Sequence, residues 1–315
     1  MTNRRSFLLG VGGLVASSSL PALSDDLRAF PSRGRYERLS LAYQHVKAGA
    51  TQPFSILHIS DTHLTAAYET EPVRLSGKSQ ERSTTFGGHQ EEALCDSLAW
   101  AKEHVDYVLH TGDLIDFQSE ANFDLVKKYY GESMFGAMGN HEFFTYLPDE
   151  KHTWLESFKT RSWPILKANY PVDARFSSKV VHGVNFVCLD DVFGIVQADQ
   201  VDRFVSEVKK GLPIVLCMHV PFFTDEIWLK AWRFWRNSSE RFRTEGIPTL
   251  QDDVKCQRED KTTADFIAYL KSERILKALL VGHEHITMQD RFSDTAMEYV
   301  VGGNFLFHGQ EVLFT

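Results

Sequence analysis

Short apolar runs separated by helical patterns recur from residue 54 to residue 281, and five of these runs stop at residue types that bind metals. FSILHIS (54–60) leads into Asp61, Thr62 and His63. VDYVLH (105–110) leads into Gly112, Asp113 and Asp116. The run 133–138 leads into Gly139, Asn140, His141 and Glu142. PIVLCM (213–218) leads into His219, and KALLV (277–281) into Gly282, His283, Glu284 and His285. Runs of this length and composition read as strands. Helical patterns at 89–104, 119–130, near 150–160, at 197–210 and at 263–276 separate them, with a further strand at 184–190. Such alternation predicts a largely parallel inner layer covered by helices. Open α/β sheets bind ligands at the carboxyl ends of their strands, so the five loops are expected to converge on one rim.

The donor set is coherent. Asp61, Asp113 and Asn140 offer oxygen; His63, His219, His283 and His285 offer imidazole nitrogen. Mixed nitrogen and oxygen ligation without thiolate suits Zn, Mn or Fe, not Ca or an iron–sulfur cluster. Seven side chains exceed the needs of one ion, whereas two ions sharing a carboxylate use them all. Two ions close together can clamp both the attacking and the leaving oxygen of a displacement. Gly112, Gly139 and Gly282 let the chain turn at the strand ends and approach the ions.

In this order, D-x-H, G-D-x-x-D, G-N-H-E, H and G-H-x-H resemble the calcineurin-like metallophosphoesterase family over roughly residues 54–305. The resemblance implies a four-layer α/β/β/α sandwich of two mixed sheets flanked by helices. It implies that Asp61, His63 and His285 hold one divalent ion, that Asn140, His219 and His283 hold a second, and that Asp113 bridges them. A metal-bridging hydroxide would attack a phosphomonoester or phosphodiester. His141 would serve the leaving-group oxygen and Asp116 would orient His141, with Glu142 orienting the ligands from outside. The chain departs from two subgroups. Purple acid phosphatases carry tyrosine at the position of Asp116 and lack His63; protein serine/threonine phosphatases carry arginine where Phe117 stands. The D-x-H start is similar to bacterial phosphodiesterases and small-substrate phosphatases. The alternatives are an inactive metal-containing binding or sensor module on the same fold, against which His141 argues, and a structural metal site in a solute-binding protein.

The N-terminus has its own pattern. Arg4 and Arg5 precede Ser6, Phe7, Leu8 and Leu9; an uncharged run follows, closed by Pro21, Ala22 and Ser24. This resembles a twin-arginine export signal spanning 1–24, read by the twin-arginine machinery and implying a periplasmic or secreted protein. The alternative is a membrane anchor, for which 7–23 is short and rich in Gly and Ser; no stable span is expected after cleavage. Export of an already folded chain would let it take its metals before meeting periplasmic copper and zinc, which bind such ligands more tightly than Mn or Fe. Residues 25–50 read as a lead-in with an edge strand around 39–47, and 51–315 as the catalytic domain.

The formal charge is -8, and -10 without residues 1–24. It gives no general attraction for nucleic acid or anionic membranes. Cys95, Cys188, Cys217 and Cys256 form no CxxC pair, which argues against a thiolate zinc site. Cys188 and Cys217, in apolar runs, are expected as buried thiols, with a disulfide as the alternative. His58 and His110, just before two motifs, are expected to pack beneath the site; His89, His104, His152, His182 and His308 are expected to be structural or at the surface. Residues 65–88, polar with Gly77, Gly87 and Gly88, read as a long loop. Residues 222–262 read as an insertion in which Trp228, Trp232, Phe234, Trp235 and Phe242 alternate with cations. It is either a lid over the metals or an amphipathic helix on the core.

Overall fold

The computed structural model describes residues 36, 38–146, 156–235 and 260–315. Residues 1–24, expected from sequence to be an export signal, together with His152, Cys256 and residues 236–259 of the insertion, lie outside the described residues. Residues 38–315 form one unit, built on two mixed sheets.

The first sheet runs β1 (Ser40–Val46), β11 (His308–Phe314), β2 (Phe54–Ile59), β3 (Tyr107–Thr111), β4 (Met134–Ala137). Within it β2, β3 and β4 are parallel, β11 is antiparallel to β2, and β1 is parallel to β11. The second runs β5 (Phe176–Val181), β6 (Val184–Leu189), β7 (Ile214–Cys217), β8 (Leu276–Val281), β10 (Met297–Val300), β9 (Met288–Arg291). Its four middle strands are parallel and its two edges antiparallel. Among the described residues, seven α-helices follow the chain: α1 (Val73–Thr85), α2 (Gln90–His104), α3 (Glu120–Tyr129), α4 (Glu156–Asn169), α5 (Ala198–Val208), α6 (Asp225–Phe234) and α7 (Lys261–Ser272).

Strand side chains alternate between faces, and here both faces are apolar. On β7, Val215 and Cys217 enter the core shared by the two sheets, with Ile56, Leu109 and Phe135 from the first. Ile214 and Leu216 point outward and pack with Phe204, Ile227 and Phe266 from α5, α6 and α7. Each Val, Leu or Ile buried in these layers contributes about 1.5–3 kcal/mol. The layers therefore carry the fold and leave the strand ends free to hold polar residues in costly conformations. Cys188 and Cys217 face each other in register across β6 and β7 as free, buried thiols.

Three elements differ from the sequence expectation. The loop expected over 65–88 contains α1. Apart from Leu75, which is buried, its face is built of polar stems, so apolar periodicity does not reveal it. Strand β5 also escapes the pattern, being a half-buried edge (FSSKVV) with two serines. The tail, whose short alternating runs near 286–292, 296–301 and 305–314 read from sequence as antiparallel strands, is mixed: β10 joins β8 in parallel and β11 joins β1 in parallel. Of the insertion, α6 packs Ile227 and Ala231 on the outer core, capped by the Thr224 side chain accepting from the Ile227 N–H.

Candidate metal centre

The loops after β2 and β3 lie side by side. Asp61 N–H donates to Gly112 O (2.9 Å), His63 N–H to Asp113 O (2.8 Å) and Asp116 N–H to Leu64 O (2.9 Å). Holding the side chains inward costs backbone strain. Asp61, His63, Asp113, His283 and His285 all have φ between 53° and 69°, a region that non-glycine residues rarely enter. Such strain persists only where the surroundings over-determine it, and it marks functional sites. Gly112, at φ 98°, could not be replaced: a Cβ there would lie 2.5 Å from Gly139 N and 2.7 Å from His219 Nδ1.

Each carboxylate is fixed by a backbone donor on one oxygen and presents the other. Asp113 Oδ1 accepts from His141 N–H (2.8 Å), leaving Oδ2 3.3 Å from His219 Nε2 and 3.7 Å from His63 Nε2. Asp61 Oδ2 accepts from His283 N–H (2.8 Å), leaving Oδ1 3.3 Å from His285 Nε2 and 3.9 Å from His63 Nε2. Asn140 Oδ1 lies 3.2 Å from His219 Nε2, and His283 Nδ1 lies 3.0 Å from the same atom. All seven ligand candidates thus meet at one rim. Six of them, joined by His141, fall into the overlapping groups Asp61/His63/His285, His63/Asp113/His141 and Asp113/His219/His283.

The imidazoles are aimed from behind. His219 Nδ1–H donates to Thr111 O (2.7 Å) and His63 Nδ1–H to Asp116 Oδ1 (3.1 Å), so each turns its Nε2 lone pair into the site. Asp116 does more than the sequence suggests. Fully buried, it holds His63, takes His141 Nδ1 at 2.9 Å, and receives Arg82 through Nε (2.7 Å) and Nη2 (2.9 Å). Burial would raise its pKa, but His141, His63 and Arg82 hold the carboxyl well below the usual range. Burial opposes protonation of His141, yet the Asp113 and Asp116 carboxylates outweigh it and raise that imidazole.

Acceptors converge here without enough donors. Asp61 Oδ1 is buried with no hydrogen-bond partner, and His63 Nε2 and His285 Nε2 face each other at 3.2 Å. Burial lowers the His219 imidazole, but Asp113 and then Asp61 push it up to about 10. A divalent cation satisfies such a site better than protons do, so the residues present fit a metal centre.

Supporting residues complete the rim. Glu142 accepts from the N–H groups of Asp113 (2.9 Å), Leu114 (2.8 Å) and Gly139 (2.8 Å), which ties the second and third loops together. His58 and His110 lie buried beneath, bonded to Thr111 Oγ1 (2.8 Å) and Thr62 Oγ1 (2.9 Å) and kept neutral by burial. Two contributors, Arg82 and Asp191, were not singled out from sequence, and a third, Trp235, was named there only as one aromatic of the insertion. Arg82 arrives from α1; its signal was the spacing Leu75, Lys78, Arg82, Phe86 on one helical face. Asp191 ends β6 in the same manner as the five motif strands, and its Oδ1 accepts from His219 N–H at 3.2 Å. Trp235 ends α6, and its indole N–H donates to Glu284 Oε2 at 2.8 Å.

Two mixed sheets flanked by helices, with Asp and His donors gathered at the strand ends, define a metal-dependent hydrolase. The calcineurin-like phosphoesterase family model matches residues 54–287. The chain belongs to that family and is a metal-dependent phosphoric ester hydrolase. Among curated proteins none matches the sequence. Solved structures similar to it include a dimetal phosphatase from Danio rerio, at 15% identity and TM-score 0.46, over 80% of this chain and 88% of that one. A 5'-nucleotidase from Candida albicans matches at 11% identity and TM-score 0.38, over 84% and 47%. The calcineurin-like phosphoesterase YfkN from Bacillus subtilis matches at 10% identity and TM-score 0.40, over 80% and 82%. The chain spans about half the length of the nucleotidase.

Proposed function

We propose that the protein is an exported two-metal phosphoesterase acting on a small phosphate monoester or diester. The observation that carries this reading is the place of Asp113, whose Oδ2 lies between His63 Nε2 (3.7 Å) and His219 Nε2 (3.3 Å), one from each ligand set. Asp61, His63 and His285 would hold one ion and Asn140, His219 and His283 the other, with Asp113 shared. Divalent ions bound there supply Lewis acidity at the phosphoryl oxygens and bring the pKa of water toward neutrality. The side chains do the rest. The ligand residues fix the phosphoryl group in one orientation, and Asp116 holds His141 with a proton to give. As the bond from phosphorus to the leaving oxygen breaks, that oxygen takes the proton from His141; the oxygen of water, its proton given up to solvent, forms the new bond to phosphorus, and His141 regains a proton from solvent. Export rests on Arg4, Arg5 and the apolar run after them, with 1–24 removed, 25–50 as lead-in and 51–315 as the catalytic domain.

The test is hydrolysis of bis-p-nitrophenyl phosphate and p-nitrophenyl phosphate by chelated protein reloaded with Mn, Fe, Zn or Ni. Metal-restored release is expected, and the ratio of the two rates assigns diesterase or monoesterase. His141→Ala should keep its metals and lose roughly 10²–10⁴-fold in turnover. No release with any ion, while two ions are bound, would return the chain to the binding-module alternative.

A further inference from the structure

Aromatic rings form a continuous file on one side of the metal centre. Phe86, 7% exposed, stacks on His63 with centroids 4.1 Å apart and planes at 11°. Phe305 meets Phe86 at 4.8 Å and His285 at 5.2 Å, in both cases edge to face. Trp235 approaches His285 from the far side at 5.7 Å, and Phe234, 48% exposed, meets Trp235 at 5.1 Å. The file therefore runs from a buried ring beside His63 to an exposed ring on α6. It is held in place: the Trp235 indole is tied to Glu284, which sits between His283 and His285.

His141 lies against the same His63, with ring centroids 4.7 Å apart and planes at 90°. A proton donor must come within hydrogen-bond reach of the leaving oxygen, so the leaving group passes beside His63, whose other ring neighbours are Phe86, Phe305 and His285. Beside Phe86, Arg82 lies over the ring at 4.8 Å and is gripped by Asp116 through two N–H groups, so among the described residues this part of the wall offers carbon where a polyanion would need free charge. We propose that this file is the leaving-group subsite, and that the preferred substrate is a phosphate ester of a flat, uncharged aromatic group lying against Phe305 and Trp235. The proposal rests on the phosphoesterase reading above and narrows it.

The experiment compares kcat/KM for benzyl phosphate and methyl phosphate, as monoesters and as symmetric diesters. The two leaving alcohols have nearly the same acidity, so intrinsic reactivity does not decide the ratio. Benzyl esters are expected to be preferred by about tenfold or more, the scale of one aromatic stacking contact. Trp235→Ala and Phe305→Leu should each reduce the benzyl-to-methyl ratio several-fold, whereas Trp235→Phe, which keeps a ring, should retain most of it. Calorimetric binding of phenylphosphonate against methylphosphonate to the metal-loaded protein gives the same comparison without turnover. A ratio near one in the unaltered protein, or a ratio that neither substitution moves, overturns the subsite. If no ester is hydrolysed, calorimetry decides. Tighter binding of phenylphosphonate then supports the subsite while the phosphoesterase reading fails alone, and equal binding overturns the subsite as well.

Discussion

Glu298 on β10 is fully buried and accepts the Phe222 N–H on Oε1 at 2.8 Å, while its Oε2 has no hydrogen-bond partner. Burial raises its pKa well above the ordinary value; Asp191 and Asp290 add to the rise, and the Phe222 N–H and Lys271 oppose it. A carboxyl raised in the folded state stabilises the protein fully below the unfolded pKa, and that stability is lost as pH rises toward the folded pKa. Glu298→Gln resembles the protonated form and keeps the acceptor for Phe222. The variant should match the parent in melting temperature at about pH 4 and exceed it by about 2–4 °C at pH 8, if about 1 kcal/mol is at stake. A difference that stays constant across that range would show that Glu298 is ionised when folded. Glu298 was invisible in the sequence because one acidic residue in an alternating run gives no sign of which face it takes. The candidate ligands stood out in sequence at the same scale, since Asp61, Asp113, Asn140, His219 and His283 each directly follow an apolar run or the glycine that ends it. The positive φ values of Asp61, Asp113 and His283 were not legible: that conformation is set by neighbouring loops far away in sequence.

Helix α1 shows what an element contributes when its own pattern is weak. It buries Leu75 and sends Arg82 to Asp116, 34 positions on. Arg82→Leu would leave the Asp116 carboxylate without its two-pronged donor. Loss of one partner from a fully buried pair costs about 3–5 kcal/mol, and partial exposure of the Arg82 side chain (20%) reduces this; a loss of about 1–3 kcal/mol is expected. Turnover should fall as His63 and His141 lose their anchor, and Arg82→Lys, a single donor in place of a fork, should fall between. Unchanged melting temperature and kcat in both variants would reduce α1 to a surface helix. Strands β2, β3, β7 and β8 were legible because their apolar runs are unbroken, as strands buried on both faces require. The edge strand β5 and helix α1 were not, because each meets solvent along much of its length, and partly polar elements of this kind resemble loops.

At the scale of the molecule, the metal centre is where the fold is least content. The strained ligands and the converging acceptors of Asp61, His63 and His285 weaken the metal-free protein, and an ion that binds only the folded state returns that stability. At a free concentration a hundred times Kd the gain is about 2.7 kcal/mol. Chelation should lower the melting temperature by several degrees, and Mn or Zn should restore it in a concentration-dependent way; indifference to both would mean that the rim holds no ion. The layered architecture was legible from the alternation of runs, but the path of the tail was not, because pairing partners of short strands such as β10 and β11 are chosen by tertiary register. Strand β11 has a consequence for the order of assembly. It lies between β1 and β2, and β1 pairs with nothing else in its sheet. During synthesis, then, β2 must wait with a bare edge while some 250 residues are added, and β1 has no neighbour to join. The first sheet can close only after residues 308–314 have cleared the ribosome, so the chain must remain competent to fold until nearly all of this sequence has been made.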